Sequence, residues 1–481
     1  MDNNRRKFLR RLAIGSGVLA AGIPSFAKVT GTTDEQIDRS AEYENQEQRF
    51  NMCGYAAPKI ETVRIGVIGL GQRGSEAVER LSYIDGLEIV ALCDKYPDRV
   101  AAAQKSLEKM QRPKAKEYSG EEGWKALCES NDIDLVYTPT PWHLHTPIAV
   151  YAMKNGKHAA TEVPAAKTLD ECWELVETSE KTRKHCMMLE NCCYDFFEQL
   201  TLNMARQGMF GEIVHAEGAY IHDLTKDWLF NKNAYADMWR LKENIGHNGN
   251  LYPTHGLGPI AQCMNINRGD KFEHLVSMSS NDFTLNNKAK ELAAKDDFFK
   301  GYVDQPYRGN MNTTLIRSHK GKTIMVQHDV STLRPYSRIH LVSGTKGAAQ
   351  KWPGPQRIAF GHSWIKTEEL KQLEEKYSPA IVKHIGNIAK EVGGHGGMDF
   401  IMDWRLIDCL RNGLPLDQDV YDAAAWSCVM PLSQRSVAKK SRTVDIPDFT
   451  RGAWQLNKPV SLTIDGGGTT GVRNVKPDLK M

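Results

Sequence analysis

The sequence predicts an α/β protein of two domains, an N-terminal doubly wound parallel (Rossmann) sheet followed by an α+β domain built on a large, mostly antiparallel open sheet. Three observations carry this. From Val63 short apolar runs alternate with helix-length stretches, the pattern of parallel strands joined by crossover helices. After Asn191 the runs become β-branched or alternating and are separated by Gly, Asn and Asp, which suits an antiparallel sheet with one covered face. A chain of 481 residues with 41% apolar composition is also long enough for two cores.

Residues 1–27 have a basic start (Arg5, Arg6, Lys7, Arg10, Arg11), an apolar run from Leu12 to Ile23, and small residues Ser25 and Ala27 spaced for cleavage before Lys28. The run is shorter than the roughly 18 residues a membrane span needs, so it predicts an export signal, and its Arg-Arg-Lys-Phe-Leu core resembles the twin-arginine type, which carries folded chains. The expected location is therefore outside the cytoplasm, in the periplasm, with the twin-arginine machinery as a partner. Removing this segment takes the formal charge from +3 to −1, so nothing in the mature chain asks for nucleic acid or an anionic membrane, and no later segment is apolar enough to span one.

Residues 28–62 are polar and aperiodic, and predict an arm laid over the surface. The Rossmann domain is expected over 63–191, with strands in VRIGVIGL, LEIVALCD, IDLVYTPT, HAATEV and HCMMLEN, and helices from about Ser75 and in PDRVAAAQKSLEKM, PIAVYAMKNG and LDECWELVETSEKT. The second domain, 192–457, takes its strands from EIVHAEGAYI, HLVSMSS, NTTLIRS, TIMVQHDV and RIHLVSG. Two late helical stretches, 397–413 and 417–440, are expected at the domain junction, and 458–481 is a tail. The ten cysteines are scattered without a CxxC pair and predict buried small hydrophobes rather than a disulfide framework or a metal site.

Gly69-Leu70-Gly71-Gln72-Arg73-Gly74 follows the first strand and opens a helix, and Asp94 ends the next strand. Glycines there allow a tight turn, backbone approach to a pyrophosphate and close helix packing, while Asp94 would accept from a ribose diol and repel a 2′-phosphate, favouring NAD. The third strand ends in TPTPWHLH, which puts Trp142, His143, Leu144 and His145 at the rim of the same crevice. The histidines there could equally cap the following helix.

With its GLGQRG turn, Asp94, TPTPWHLH and Glu162-Val163-Pro164, this half resembles the glucose-fructose oxidoreductase, inositol dehydrogenase and MocA superfamily. Dehydrogenases of that group carry Glu-Lys-Pro at the last step, and Val163 cannot transfer a proton as that lysine does. The second half is similar to glycoside hydrolase family 109 through MLENCCYD, GMFGEIVHAEGAYIHDL, NGNLYPTHGLGPI, HDVSTLRPYS, GGHGGMDF and IPDFTRGAW, over roughly four fifths of the chain.

The resemblance implies an exported, NAD-dependent α-N-acetylgalactosaminidase acting on a glycan. It implies NAD contacts from Gln72, Arg73, Asp94, Trp142 to His145, Glu162, Val163 and Asn191, and sugar contacts from Tyr220, Arg240, Tyr252, Pro253, Thr254, His255 and Tyr336. The implied cycle is oxidation at sugar C3, elimination across C1 and C2, water addition, and reduction at C3. NAD is regenerated in each turnover, so one tightly held molecule carried out at export suffices. This departs from hydrolysis by two carboxylates. Tyr252 and His255 are the candidates for the C3 hydroxyl and C2 proton, and His395 for the leaving group or water.

Plainer readings stand beside these. Thr254 could be a helix N-cap, GGHGG a flexible turn, His222-Asp223 a substrate rim, and Asp399 with Asp403 a solvated or junction face; Trp426 is expected in the core. The alternatives for the whole chain are a periplasmic NAD(P)-dependent sugar oxidoreductase and a sugar-binding protein that holds NAD without catalysis. An open sheet face also allows a homo-oligomer.

Overall fold

The computed structural model describes residues 40–459 and 461–473; the expected signal, residues 1–27, lies outside them. The first sheet contains β1 (Val63–Ile68), β2 (Leu87–Asp94), β3 (Lys116–Ser119), β4 (Leu135–Thr138), β5 (His158–Thr161) and β6 (Cys186–Met188). All pair in parallel in the order β3-β2-β1-β4-β5-β6. The order reverses between β1 and β4, so the loops leaving their carboxyl ends diverge and open a crevice. β3 escapes the sequence reading because Lys116-Glu117-Tyr118-Ser119 is a largely exposed edge strand without an apolar run.

The second sheet contains β7 (Ile213–Ile221), β8 (Phe272–Ser279), β9 (Asn312–Ser318), β10 (Thr323–Asp329), β11 (Leu341–Gly344), β12 (Ala348–Gln350), β13 (Arg357–Ala359) and β14 (Val444–Asp445). Their order is β13-β12-β11-β7-β10-β9-β8-β14, and every pair is antiparallel except β7 with β10. The helix Thr254–Cys263 lies against β7 at backbone contact: a Cβ on Gly218 would stand 2.3 Å from the Gly256 carbonyl oxygen. That approach holds the start of this helix beside the end of β7. The opposite face carries Met278 and Leu315, 67% and 49% exposed.

The late helix Met398–Asn412 packs on the first domain: Arg80 Nε donates to Asp403 Oδ2 at 3.1 Å and Tyr137 Oη to Asp403 Oδ1 at 2.9 Å. Asp399 and Asp403 are both fully buried, so they form a junction and not a solvated face. The stretch 417–440 is two helices, Val420–Ser427 and Val429–Ala438, meeting at Cys428. Trp426 is buried, as are nine of the ten cysteines, and all ten are unpaired. Helices Thr367–Tyr377 and Ala380–Val392 add to the expected elements; Ile381, Ile385 and Ala389 of the second are buried at helical spacing.

The described part of the arm is anchored, with Met52 buried and its amide, together with Gln48 Nε2, donating to Tyr421 Oη. The tail is also tied down, by Gly468 and Thr470 amides on Asp408 and by Trp404 Nε1 donating to the Thr470 carbonyl at 2.9 Å. Among the described residues no helix is long and apolar enough to cross a membrane.

Candidate active site

A cleft of about 670 Å³ opens at the carboxyl ends of β1, β2 and β4 and runs to the start of the helix Thr254–Cys263. Its floor is the glycine turn. Gly69 has φ +96°, a conformation suited to glycine, and Gly71 caps the helix Gln72–Leu81 with no side chain to occupy its free amides. Gly74 stands behind the turn rather than on the cleft wall, where a Cβ would lie 1.8 Å from the Gly69 carbonyl oxygen. Asp94 ends β2, with Oδ2 accepting from the Leu70 amide at 2.7 Å and Oδ1 from the Tyr96 amide at 2.9 Å. An uncapped helix start, a turn that any Cβ would fill and a fixed carboxylate fit the pyrophosphate and ribose of NAD.

Gln72, Arg73, Trp142, Glu162, Val163 and Asn191 also line the cleft. His143 and Leu144 belong to the short turn Trp142–Leu144 and do not. His145 borders the cleft, but its Nδ1 and Nε2 stand 2.7 Å from the carbonyl oxygens of Pro164 and Thr140, so the ring ties two loops together. Burial pushes its pKa down in spite of those two carbonyls.

Arg73 is held by acids from both domains. Its Nε donates to Glu162 Oε1 and its Nη1 to Asp399 Oδ2, each at 2.5 Å. Asp399 also accepts from Asn191 Nδ2 at 2.5 Å, and its Oδ2 lies 2.9 Å from His395 Nδ1. Burial alone would raise the Asp399 carboxyl; Arg73, His395 and Arg80 outweigh it and hold the group well below the usual carboxylate range. His395 itself reaches the cleft with 56% of its side chain exposed, on a loop where Gly393, Gly394, Gly396 and Gly397 all have positive φ.

The second domain supplies an aromatic wall. Tyr252 stacks on Trp142 at 5.6 Å and packs against Tyr220 at 4.8 Å and His255 at 4.9 Å, measured between ring centroids. Arg240 Cζ lies 4.9 Å from the Tyr252 ring centre, while its Nη1 donates to Tyr235 Oη at 2.8 Å. Burial raises the Tyr252 phenol well above its ordinary value, and Arg240 opposes the rise. Tyr220 Oη lies 3.0 Å from His222 Nδ1, and both residues line the cleft.

Three of the expected sugar contacts stand back from the cleft. Pro253 occupies the cap position of the helix, and Thr254, fully buried, begins that helix without capping it, which corrects the N-cap reading. Tyr336 lies behind His222, their rings 5.1 Å apart, and its hydroxyl accepts from Arg338 Nη1 at 3.1 Å.

Glu190 was missed by the sequence reading, although it directly precedes Asn191 in MLEN. It is fully buried, and its Oε1 lies 2.7 Å from His255 Nδ1 and accepts from the Cys192 amide at 3.1 Å. Burial works to raise this carboxyl, but His255 and the Cys192 amide prevail and hold it below its usual value. Glu190, Cys192 and His255 bring ligand-type atoms within 4.8 Å of one another, a grouping the expectation of no metal site did not foresee. Their geometry is that of an acid–base pair, because His255 Nδ1 and Glu190 Oε1 are spent on each other and burial pushes the Cys192 thiol up.

Residues 63–190 match the oxidoreductase family with an NAD-binding Rossmann fold, and residues 194–456 match the glycosyl hydrolase 109 C-terminal domain. A glycosyl hydrolase family 109 protein of Bacteroides thetaiotaomicron is 47% identical over 468 residues, covering 93% of this chain and 97% of the relative. An alpha-N-acetylgalactosaminidase of Bacteroides fragilis is 50% identical over 411 residues, covering 84% and 96%. Among solved structures, levoglucosan dehydrogenase in complex with NADH and levoglucosan superposes with a TM-score of 0.60 at 18% identity, covering 80% of this chain and all of that one. An aldose-aldose oxidoreductase from Caulobacter crescentus gives 0.56 at 18%, with 80% of this chain and all of that one covered. These two likenesses concern the fold.

Proposed function

Since this chain belongs to glycosyl hydrolase family 109 and joins an NAD-binding Rossmann domain to that family's C-terminal domain, we propose that it is an NAD-dependent glycosidase that removes terminal α-linked N-acetylgalactosamine from glycans. The observation that carries this reading is where the proton-handling groups lie. At the position of the dehydrogenase lysine stands the buried, apolar Val163, and the groups able to move protons, Tyr252, Tyr220 and His255, face the same cleft from the second domain, with the buried Glu190 of the first domain behind His255.

The glycine turn and Asp94 would hold NAD, which when bound would supply removal and later return of a hydride at C3 of the sugar. The residues of the chain do the rest. A ketone at C3 acidifies the proton on C2, and His255 takes that proton while the Glu190 carboxylate stabilises the imidazolium that results. Tyr252, set between Trp142, Tyr220 and Arg240, holds the C3 hydroxyl and moves its proton; the positive charge of Arg240 opposes the rise that burial imposes on its phenol. Arg240 and Tyr220 orient the sugar. His395, on its glycine-rich loop with Asp399 behind it, protonates the leaving group at C1 and then positions water.

This chemistry consumes no NAD, which is compatible with export of the folded, loaded protein by the twin-arginine route to the periplasm. The exposed apolar residues Met278 and Leu315 suit pairing with a second copy. The test is incubation of the purified protein with a nitrophenyl α-N-acetylgalactosaminide without added NAD. Dye release with solvent deuterium entering C2 is expected; sugar oxidation without release would instead make it an oxidoreductase, and neither reaction would leave a binding protein.

A further inference from the structure

The segment 225–240 crosses from the second domain over the cleft. Trp228, Asn233, Ala234, Tyr235, Ala236 and Trp239 line it opposite Arg99, Ala102 and Ser106 of the first domain. Its tip is anchored at two points. Trp239 packs edge-on against Trp142 with centroids 5.5 Å apart, beside Tyr252 and the sugar side of the cleft. Two residues earlier, Asp237 Oδ2 accepts from Tyr96 Oη at 3.2 Å, and Tyr96 is the residue whose amide donates to Asp94.

The tip is bent for that contact. Asp237 and Met238 are consecutive non-glycine residues with φ +55° and +49°, a left-handed pair that the chain holds only where tertiary contacts require it. Met238 is buried as the plug under the bend, whereas Asp237 is exposed. Behind the tip, Lys232 Nζ pairs with Asp296 Oδ2 at 2.5 Å, and Phe230 packs on Phe299 and Tyr307. The root is therefore fixed in the second domain, and the tip meets the first through one solvent-exposed hydrogen bond and the Trp239–Trp142 contact.

We propose that residues 225–240 form a strap that closes over the bound dinucleotide, latched by Asp237 to Tyr96, and that the strap sets how slowly NAD leaves. The proposal rests on the reading of the cleft as an NAD site. A latch made of one exposed hydrogen bond opens readily enough for loading, while the contact of Trp239 with Trp142 favours the closed position. A cofactor that is returned to its starting state in every turnover gains from slow release, since nothing requires exchange.

The test loads the protein with isotopically labelled NAD, chases it with excess unlabelled NAD, and follows retained label by filtration. Asp237→Ala and Tyr96→Phe should each release label about three- to tenfold faster, the worth of one ordinary hydrogen bond. The double variant should be no faster than the faster single one, because both changes remove the same contact. Replacing residues 233–237 with a Gly-Ser linker should accelerate release beyond either substitution. Release at the parental rate from the latch variants and the linker variant would overturn the strap while leaving the NAD site standing. A parental protein that retains no label would overturn the NAD reading and the strap with it.

Discussion

His255 Nδ1 lies 2.7 Å from Glu190 Oε1, with the carboxylate fully buried behind the ring and the ring turned to the cleft. Glu190→Gln preserves the shape of this pair and removes its charge, so the imidazolium loses its stabilising partner. We expect kcat to fall about 10²- to 10³-fold with little change in KM, the range for impaired general acid–base catalysis. Steady-state kinetics at parental turnover would exclude His255 as the base that takes the C2 proton.

His395 reaches the cleft from an exposed loop and is backed by Asp399, an arrangement suited to protonating a departing oxygen. A nitrophenolate needs no such help, whereas a sugar alkoxide does. His395→Ala should therefore lower turnover of a natural glycoside about 100-fold and that of a nitrophenyl glycoside by less than about fivefold. Equal effects on the two substrates would remove His395 from the leaving-group role.

Asp399 joins the domains through Arg73, with Arg80 Nη1 3.7 Å from its Oδ2. Asp399→Ala leaves two guanidinium groups near one another with one buried partner fewer. The expected cost is about 3–5 kcal/mol of stability, as for breaking a buried ion pair by removing one side. Denaturant titration measures it; a midpoint within experimental error of the parent would show that Glu162 and Asp403 alone satisfy both arginines.

Buried histidines link stability to pH, His185 and His340 among them. His185 is pushed down to about 4 and His340 to about 3, in each case because burial disfavours the charged ring, and His340 has no hydrogen-bond partner on either nitrogen. Both bind a proton more readily in the unfolded chain, whose histidines titrate near 6.5. Their contribution is complete above that pH and is lost as pH falls toward the folded values, at up to about 1.4 kcal/mol per pH unit for each group. Thermal unfolding followed from pH 7 to 4 should show this decline, and His340→Leu should reduce its slope; an unchanged slope would mean that His340 is already compensated.

The parts of the site that were legible in the sequence are those whose meaning is local. The glycine turn and Asp94 announce themselves through spacing around two strands, and Tyr252 with His255 through a short motif. Glu190 did not, because an acid beside the apolar residues Met187, Met188 and Leu189 carries no local sign of being buried. Asp399 and Asp403 allowed a solvated or a junction face, and only the burial of both sides of their helix selects the junction. The strap has no period at all, so its aromatic residues gave no indication that they line a cleft.

By itself the sequence determined the alternation of strands and helices, the parallel character of the first sheet, the glycine positions that leave a helix start open, and the absence of a lysine at position 163. These follow from side-chain periodicity and backbone sterics, which act within a few residues. Only the tertiary structure decided which charges meet. Arg73 is paired with Asp399 from 326 residues away, and Glu190 with His255 from 65 away. Such pairs form because burial makes an unpartnered charge costly, and burial is a property of the closed fold that no local pattern expresses.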